Sequence, residues 1–252
     1  MLKFFRRIRQ NLLKKGNLKG YVLYALGEIL LIVIGILIAL QISNRNEQNK
    51  ENATGINYLH RIQADLEKDV NYLEQRTAFS IEEQRLFRIY IHEMYAEQAT
   101  EKDFIALTSP LSWDAENLIL EDKTFIEITS SGQFKFISNE NVRGQIMDYY
   151  KRYAVINDHM SEMNQTGINL FNNIYKLIIK YFDVVDPLFN KEYMRKKTDW
   201  EFINDPSSAE FRDLEACATF YFFKQTVFES YYEELSAKAT ELISQIETET
   251  SK

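Results

Sequence analysis

The stretch YVLYALGEILLIVIGILIALQI, residues 21–42, decides the architecture of this chain because it is apolar enough to cross a membrane. A helix rises 1.5 Å per residue, so the roughly 21 residues of Tyr21–Gln41 cover about 30 Å, the thickness of one hydrocarbon core. The run Ile29–Leu40 has no polar side chain on any face. The sequence therefore predicts a transmembrane helix over residues 21–43.

Two other interpretations of this stretch fit less well. A cleaved signal peptide is disfavoured because the basic region before it is about 20 residues long and no small-x-small cleavage motif follows Leu40. A buried core helix of a soluble protein does not account for the cationic flank, which suits a membrane surface.

The formal net charge of −7 conceals a strong asymmetry, because residues 1–20 carry +7 while the residues after 44 carry −13. The basic residues of the first segment are Lys3, Arg6, Arg7, Arg9, Lys14, Lys15 and Lys19. Cationic flanks stay in the cytoplasm, so we expect a cytoplasmic N-terminus and a periplasmic domain over residues 44–252, anchored in the inner membrane. An acidic body also argues against binding to nucleic acid.

The basic segment 1–20 has an amphipathic pattern. Leu2, Phe5, Ile8 and Leu12 share one helical face, and Arg and Lys fill the rest. This is typical of a short helix lying on the anionic lipid of the bilayer surface. A disordered basic tail is the alternative.

Glu28 interrupts the apolar run about 10 Å inside its cytoplasmic edge, where a charge costs several kcal/mol unless it is paired or neutralised. Tyr24, Gly35 and Ala39 share its face at 100° per residue. Small residues let helices approach, and a carboxyl group can hydrogen-bond across the contact. We expect this stripe to bind a copy of itself or another membrane protein. The alternative is a monomer in which Glu28 is protonated or reaches toward water.

The order KFFRRIRQNLL and then YALGEILLIVIGILIALQISN resembles the N-terminal signature of a Bacteroidota family of single-span membrane proteins. The likeness rests on a GEIxLxVIGILIALQ-type span and continues into residues 125–150, FIEITSSGQFKFISNENVRGQIMDYY. The resemblance implies a domain of unknown function. It supports the topology and the location without supplying an activity.

The rest of the chain reads as all-α, with only 8 Gly and 3 Pro in 252 residues. Apolar residues at helical spacing predict a first long helix reaching about Gln98: Leu59, Ile62, Leu66, Val70, Leu73, Phe87, Ile91 and Met94. A second stripe alternates four and three: Val142, Ile146, Tyr149, Tyr153, Ile156, Met160, Met163, Gly167, Leu170, Ile174, Leu177 and Tyr181. A third comprises Phe211, Leu214, Ala218, Tyr221, Gln225, Phe228, Tyr232, Leu235, Ala239, Leu242 and Ile246. Together they predict an elongated antiparallel bundle of three long helices with short accessory helices.

Local motifs predict the boundaries of the shorter elements. Thr100 with Asp103 resembles a helix start, and the Thr124-x-x-Glu127 and Ser207-x-x-Glu210 patterns predict capping boxes. Gly132 predicts a helix stop, so SSGQF reads as a C-cap and not as the surroundings of a serine nucleophile. We expect the linker 183–206 to contain one or two short helical turns.

Seven aromatic residues fall within FYFFKQTVFESYY, residues 220–232. Phe220, Phe222 and Phe223 lie off the heptad stripe, so this helix needs covering on more than one side. Packing beneath the 100–137 segment is one interpretation, and a ligand pocket or partner surface is the other. Gly167 is the small residue in its stripe and leaves room for a bulky aromatic side chain from this region.

The sequence holds no recognisable catalytic, metal or cofactor site. His60, His92 and His159 lack the spacing of a metal motif, and the single Cys217 has no predictable base beside it. We therefore expect no enzymatic activity and no cofactor. The leading hypothesis is a membrane-anchored interaction or scaffold protein; the alternatives are a periplasmic ligand-binding sensor subunit that acts through a partner, and an anchored enzyme.

Overall fold

The computed structural model describes residues 18–96, 100–182 and 197–251. Its α-helices are α1 (Leu18–Glu93), α2 (Glu101–Thr108), α3 (Lys123–Ser130), α4 (Glu140–Phe182) and α5 (Ala209–Thr250). Two 3₁₀ helices cover Gln133–Phe136 and Lys197–Asn204. No strand occurs among these residues, so the predicted all-α class with three long helices is confirmed.

The chain divides into two compact units, Met1–Gly55 and Ile56–Lys252. In the first unit, the described part is the N-terminal portion of α1, whose apolar side chains are exposed. The second unit is a helical bundle whose interior holds two hydrophobic clusters. The basic residues Lys3, Arg6, Arg7, Arg9, Lys14 and Lys15, and the amphipathic helix predicted around them, lie outside the described residues.

Helix α5 runs antiparallel to both other long helices of the bundle. Asn139, in the turn before α4, binds Glu249, and Arg152 of α4 binds Glu234. Residue numbers therefore rise along α4 while those of its partners on α5 fall. On α1, Gln63 and Ser80 bind Glu247 and Gln225 in the same reversed order. Helices α1 and α4 therefore run in the same direction, and the chain between them must return along the bundle.

The extended residues 111–122, which we call the strap, make most of this return. Leu111, Leu118 and Leu120 are buried in the bundle. The strap forms neither helix nor strand, so its backbone N–H and C=O groups have no regular partners of their own. Side chains from the long helices must supply those partners.

The heptad stripe of α5 forms the centre of the bundle. All eleven of its predicted positions are buried, from Phe211 to Ile246. The stripe of α4 is also directed inward, with Val142, Ile146, Tyr149, Ile156, Met160, Met163 and Ile174 buried. On α1 the buried members are Leu59, Ile62, Leu66, Leu73, Phe87 and Met94. Most of the periodic positions thus lie in the core, while others such as Val70, Tyr153 and Leu170 are partly buried at its edge.

Gly167 allows α4 and α5 to approach closely. A Cβ atom added there would lie 3.2 Å from the Tyr221 hydroxyl and 3.4 Å from the Phe220 ring. The predicted space for a bulky aromatic residue is therefore confirmed, and two rings from residues 220–232 use it.

Two of the local boundary predictions are confirmed. Thr100 and Asp103 exchange hydrogen bonds at the start of α2, with the Asp103 N–H donating to the Thr100 hydroxyl at 3.3 Å. Gly132 has a φ of 70° directly after α3, the left-handed conformation that glycine adopts without steric cost.

Both predicted capping boxes are wrong, because the side chains of each motif form other hydrogen bonds. Helix α3 begins two residues earlier than the motif predicts, after Asp122, and Thr124 and Glu127 bind α1 instead. At α5 the N-cap is Ser208, whose hydroxyl accepts from the Phe211 N–H at 3.2 Å. Ser207 hydrogen-bonds Asp205. Of the predicted crossover linker, residues 183–196 lie outside the described ranges, and a short helix follows them.

Candidate functional site

The N-terminal portion of α1 is long and apolar enough, by its length and composition, to span a membrane. Its large hydrophobic side chains are exposed around the whole circumference: Val22, Leu23, Leu26, Ile29, Leu30, Leu31, Ile32, Val33, Ile34, Ile36, Leu37, Ile38, Leu40 and Ile42. A contiguous apolar surface of this extent is unfavourable in water and suits a lipid environment.

The four residues of the predicted association stripe all lie in this helical portion. Tyr24 and Glu28 are half-buried, and Gly35 and Ala39 are exposed. At Gly35, an added Cβ atom would meet no heavy atom within 4 Å. Helical geometry therefore places a carboxyl group and an open small-residue surface on one face. Lys19, the one residue of the basic set within the described ranges, is exposed near the start of the same helix.

The predicted aromatic patch is divided between three environments. Phe220 packs against both hydrophobic clusters of the bundle. Phe222 is half-buried, and the Arg88 guanidinium lies 5.4 Å from its ring centre. Phe223 is 56% exposed. Phe220 and Phe222 thus pack within the bundle, while Phe223 lies at its surface.

A buried lysine that no sequence pattern had indicated lies beside these rings. Lys224 is 1% exposed. Its ammonium group donates to the Asp114 carbonyl at 2.8 Å and lies 4.1 Å from the centre of the Tyr221 ring. Burial lowers the pKa of Lys224 to about 8. The available signal was its position, three residues after Tyr221 and four before Phe228 on the inward face.

Lys224 belongs to a polar group that holds the first half of the strap. The buried Glu83 carboxylate accepts from the Ser112 N–H at 2.9 Å, and the Tyr221 hydroxyl donates to the Trp113 carbonyl at 2.8 Å. Burial raises the pKa of Glu83. Farther along, the Asn164 amide donates to the Glu116 carbonyl at 2.8 Å. Side chains from all three long helices thus satisfy the strap backbone.

A second polar group holds the end of the strap. The Asp69 carboxylate accepts from the Glu121 N–H at 2.8 Å and from the Tyr149 hydroxyl at 3.1 Å. The Tyr150 hydroxyl donates to the Glu121 carbonyl at 3.2 Å. Burial raises the pKa of Asp69 to about 6. One turn earlier, Asp65 accepts from the Thr124 hydroxyl at 2.5 Å.

A cavity beside residues 220–232 is small. It has a volume of about 10 Å³ and is lined by Arg76, Phe79, Ser112, Asp114, Glu116, Lys224, Gln225 and Phe228. This is room for roughly one water molecule. A ligand-binding sensor needs a cavity of several hundred Å³, and this site does not offer one.

The histidines and the cysteine occupy unremarkable surroundings. His60 and His92 are exposed, and His159 lies 2.5 Å from the Tyr231 hydroxyl. Cys217 is buried in the core, which raises the pKa of its thiol to about 12. Within residues 18–96, 100–182 and 197–251, no three His, Cys, Asp or Glu side chains are grouped as a metal site would require.

Comparison with known proteins yields one match. A family model described as a family of unknown function matches residues 28–186, from Glu28 through the strap to the segment just after α4. Neither the curated proteins nor the solved structures gave a match. The match starts inside the apolar span and includes residues 125–150, and it leaves out residues 3–13, which also carried the sequence resemblance.

Proposed function

We propose a function for this chain as a member of DUF6090, the family of unknown function to which it belongs: it is a membrane-anchored interaction protein. In this proposal the N-terminus is cytoplasmic, residues 21–43 cross the inner membrane, and the bundle lies in the periplasm. The span associates with a second copy or with another membrane protein.

The observation that carries the anchoring is the exposed apolar surface around the N-terminal portion of α1. Burying a single large aliphatic side chain is worth about 1.5–3 kcal/mol, so more than a dozen exposed ones favour a bilayer strongly. The basic flank with Lys19 supports the orientation, because such flanks are retained on the cytoplasmic side.

Protease treatment of spheroplasts tests the orientation. We expect external protease to digest the bundle and to leave a protected fragment that contains residues 1–43. Full protection of the bundle in intact spheroplasts, with digestion only after lysis, would place the domain in the cytoplasm and refute the proposed topology.

The association is proposed to use the stripe of Tyr24, Glu28, Gly35 and Ala39. Support comes from the open surface at Gly35 and from the presence of Glu28, a partly buried residue, on the same face of the helix. A helix–helix contact would give this carboxyl group a hydrogen-bond partner within the bilayer.

A membrane association reporter fused to residues 18–45 tests the stripe. Glu28→Leu should reduce the association signal several-fold, since interhelical polar contacts contribute about 1 kcal/mol in membranes. Gly35→Ile should also reduce it, because a branched side chain prevents close approach of the two helices. Leu37→Ala, on the opposite face, is the matched control and should change little. Equal signals for all three variants would refute the stripe.

A further inference from the structure

An open groove lies between α1 and α5 on the surface of the bundle. Its lining residues are Glu74, Thr77, Ala78, Ile81, Glu233, Ser236, Ala237, Thr240 and Glu241. Five of these side chains are small, and Ile81 is 50% exposed. Short side chains along facing helices let the backbone of a third helix approach closely.

The length of the groove suits two turns of a helix. Its lining extends over residues 74–81 on α1 and 233–241 on α5, which correspond to about 10 and 12 Å of helix. A helix laid along this groove contacts it through side chains spaced i, i+4 and i+7.

The negative charge of the groove restricts the kind of partner that can bind there. Three carboxylates line it, from Glu74, Glu233 and Glu241, and no Lys or Arg does. In the described part of the chain none of these three carboxylates forms an ion pair, whereas the adjacent Glu234 pairs with Arg152 at 2.6 Å. The groove is therefore an apolar strip with unneutralised acidic edges.

This charge argues against a second copy seated groove to groove, because six carboxylates would then face one another. A helix with Lys or Arg beside its apolar face complements the groove instead. The basic side chains would increase the association rate and fix the orientation.

We propose that this groove binds a short amphipathic helix of another protein, with aliphatic or small residues along the contact and Lys or Arg at its edges. The inference rests on the proposed interaction function and specifies the class of partner. It does not depend on the association of the membrane span.

Site-specific photocrosslinking in native membranes tests the groove. A benzoylphenylalanine residue replaces Ala237 in the full-length chain, and Lys151, exposed on α4, carries the same probe as the control position. We expect an adduct with a different polypeptide from Ala237 and not from Lys151, and mass spectrometry of the crosslinked peptide should place the contact in an amphipathic helix that carries Lys or Arg. No adduct above the Lys151 background would overturn the proposal, as would an adduct with the mass of two copies of the chain.

Charge reversal tests the identity of the contact. Combined Glu74→Lys, Glu233→Lys and Glu241→Lys substitutions should reduce the adduct about tenfold, because three edge charges each contribute about 0.5 kcal/mol. The matched control is Asp158→Lys, Glu162→Lys and Asp213→Lys, which changes three exposed acids away from the groove. Thermal unfolding by circular dichroism verifies that both variants fold.

An adduct that survives the groove reversal unchanged would overturn the proposal. The protease experiment separates this failure from that of the proposed function: normal topology with no groove adduct rejects the groove alone, while a cytoplasmic bundle rejects the function.

Discussion

The two ends of the strap are held by different sets of buried charges, a lysine and a glutamate at the start and an aspartate at the end. Near its start, the Lys224 ammonium donates to the Asp114 carbonyl, and near its end the Asp69 carboxylate accepts from the Glu121 N–H, each at 2.8 Å. The strap forms neither helix nor strand at either end, so its backbone groups need side-chain partners at both. The difference shows that an extended segment in a helical bundle draws on acids for its N–H groups and on a base, hydroxyls or amides for its carbonyls.

Removing the Lys224 side chain should have the largest effect on stability. Lys224→Ala leaves a void and an unsatisfied Asp114 carbonyl, and we expect a loss of about 3 kcal/mol in the free energy of unfolding. Lys224→Met fills most of the volume and should cost about half as much. Urea unfolding of the bundle measures both, and equal losses would mean that packing contributes nothing at this end of the strap.

The two charges should give opposite pH dependences. The pKa of Asp69 is raised to about 6, so its contribution to stability is present below pH 4 and is lost as the pH rises through 6. The pKa of Lys224 is lowered to about 8, so its contribution is present above pH 10.5 and is lost as the pH falls through 8. Each change is of the order of 2–3 kcal/mol.

Difference measurements isolate these two groups from the rest of the protein. Unfolding free energies of Asp69→Asn and Lys224→Met are subtracted from those of the unsubstituted chain between pH 4 and 10. The first difference should change mainly between pH 4 and 6, and the second mainly above pH 8. Two flat differences would contradict the comparison.

The contact at Gly167 lies beside the lysine end of the strap and tests its packing. Gly167→Ala brings a methyl group to 3.2 Å from the Tyr221 hydroxyl, which donates to the strap at Trp113. We expect a loss of about 1–2 kcal/mol in the free energy of unfolding.

Gly144→Ala is the matched control on the same helix, where an added Cβ atom meets nothing within 4 Å. It should stabilise the protein by up to about 1 kcal/mol through helix propensity. Thermal or urea unfolding distinguishes the two signs, and a stabilising Gly167→Ala would refute the close approach.

Thr124→Ala should have the smallest effect, at the aspartate end. It removes the hydrogen bond to Asp65 and should cost about 1 kcal/mol, measured by urea unfolding. Helix α3 should still begin after Asp122, because Thr124 does not cap it. Loss of α3 in the amide exchange of this variant would restore the capping interpretation.

The sequence predicted the long helices and their inward faces because periodicity is a local property. All eleven positions of the α5 stripe are buried, and the same regularity placed Gly167 against an aromatic ring. The partners of the strap were not predictable in this way. Asp69 and Glu121 are 52 residues apart, and nothing in the intervening sequence relates them.

The failed capping boxes show the same limit at short range. The pattern Ser/Thr-x-x-Glu fits both Thr124 and Ser207, yet tertiary contacts use Thr124 and a neighbouring turn uses Ser207. A local motif indicates which hydrogen bonds a side chain can form, but it does not indicate which other groups in the fold compete for that side chain. The association stripe and the basic segment 1–20 are expected to make contacts outside the bundle, and the roles assigned to both remain predictions.

The strap has a consequence for the order in which the chain matures. Tyr221 and Lys224 follow the carbonyls that they bind by 108 and 110 residues. During synthesis these hydrogen bonds cannot form until α5 has been made. Contacts between residues so far apart in the sequence slow folding. Closure of the interior around the strap is therefore a late event in the folding of the bundle.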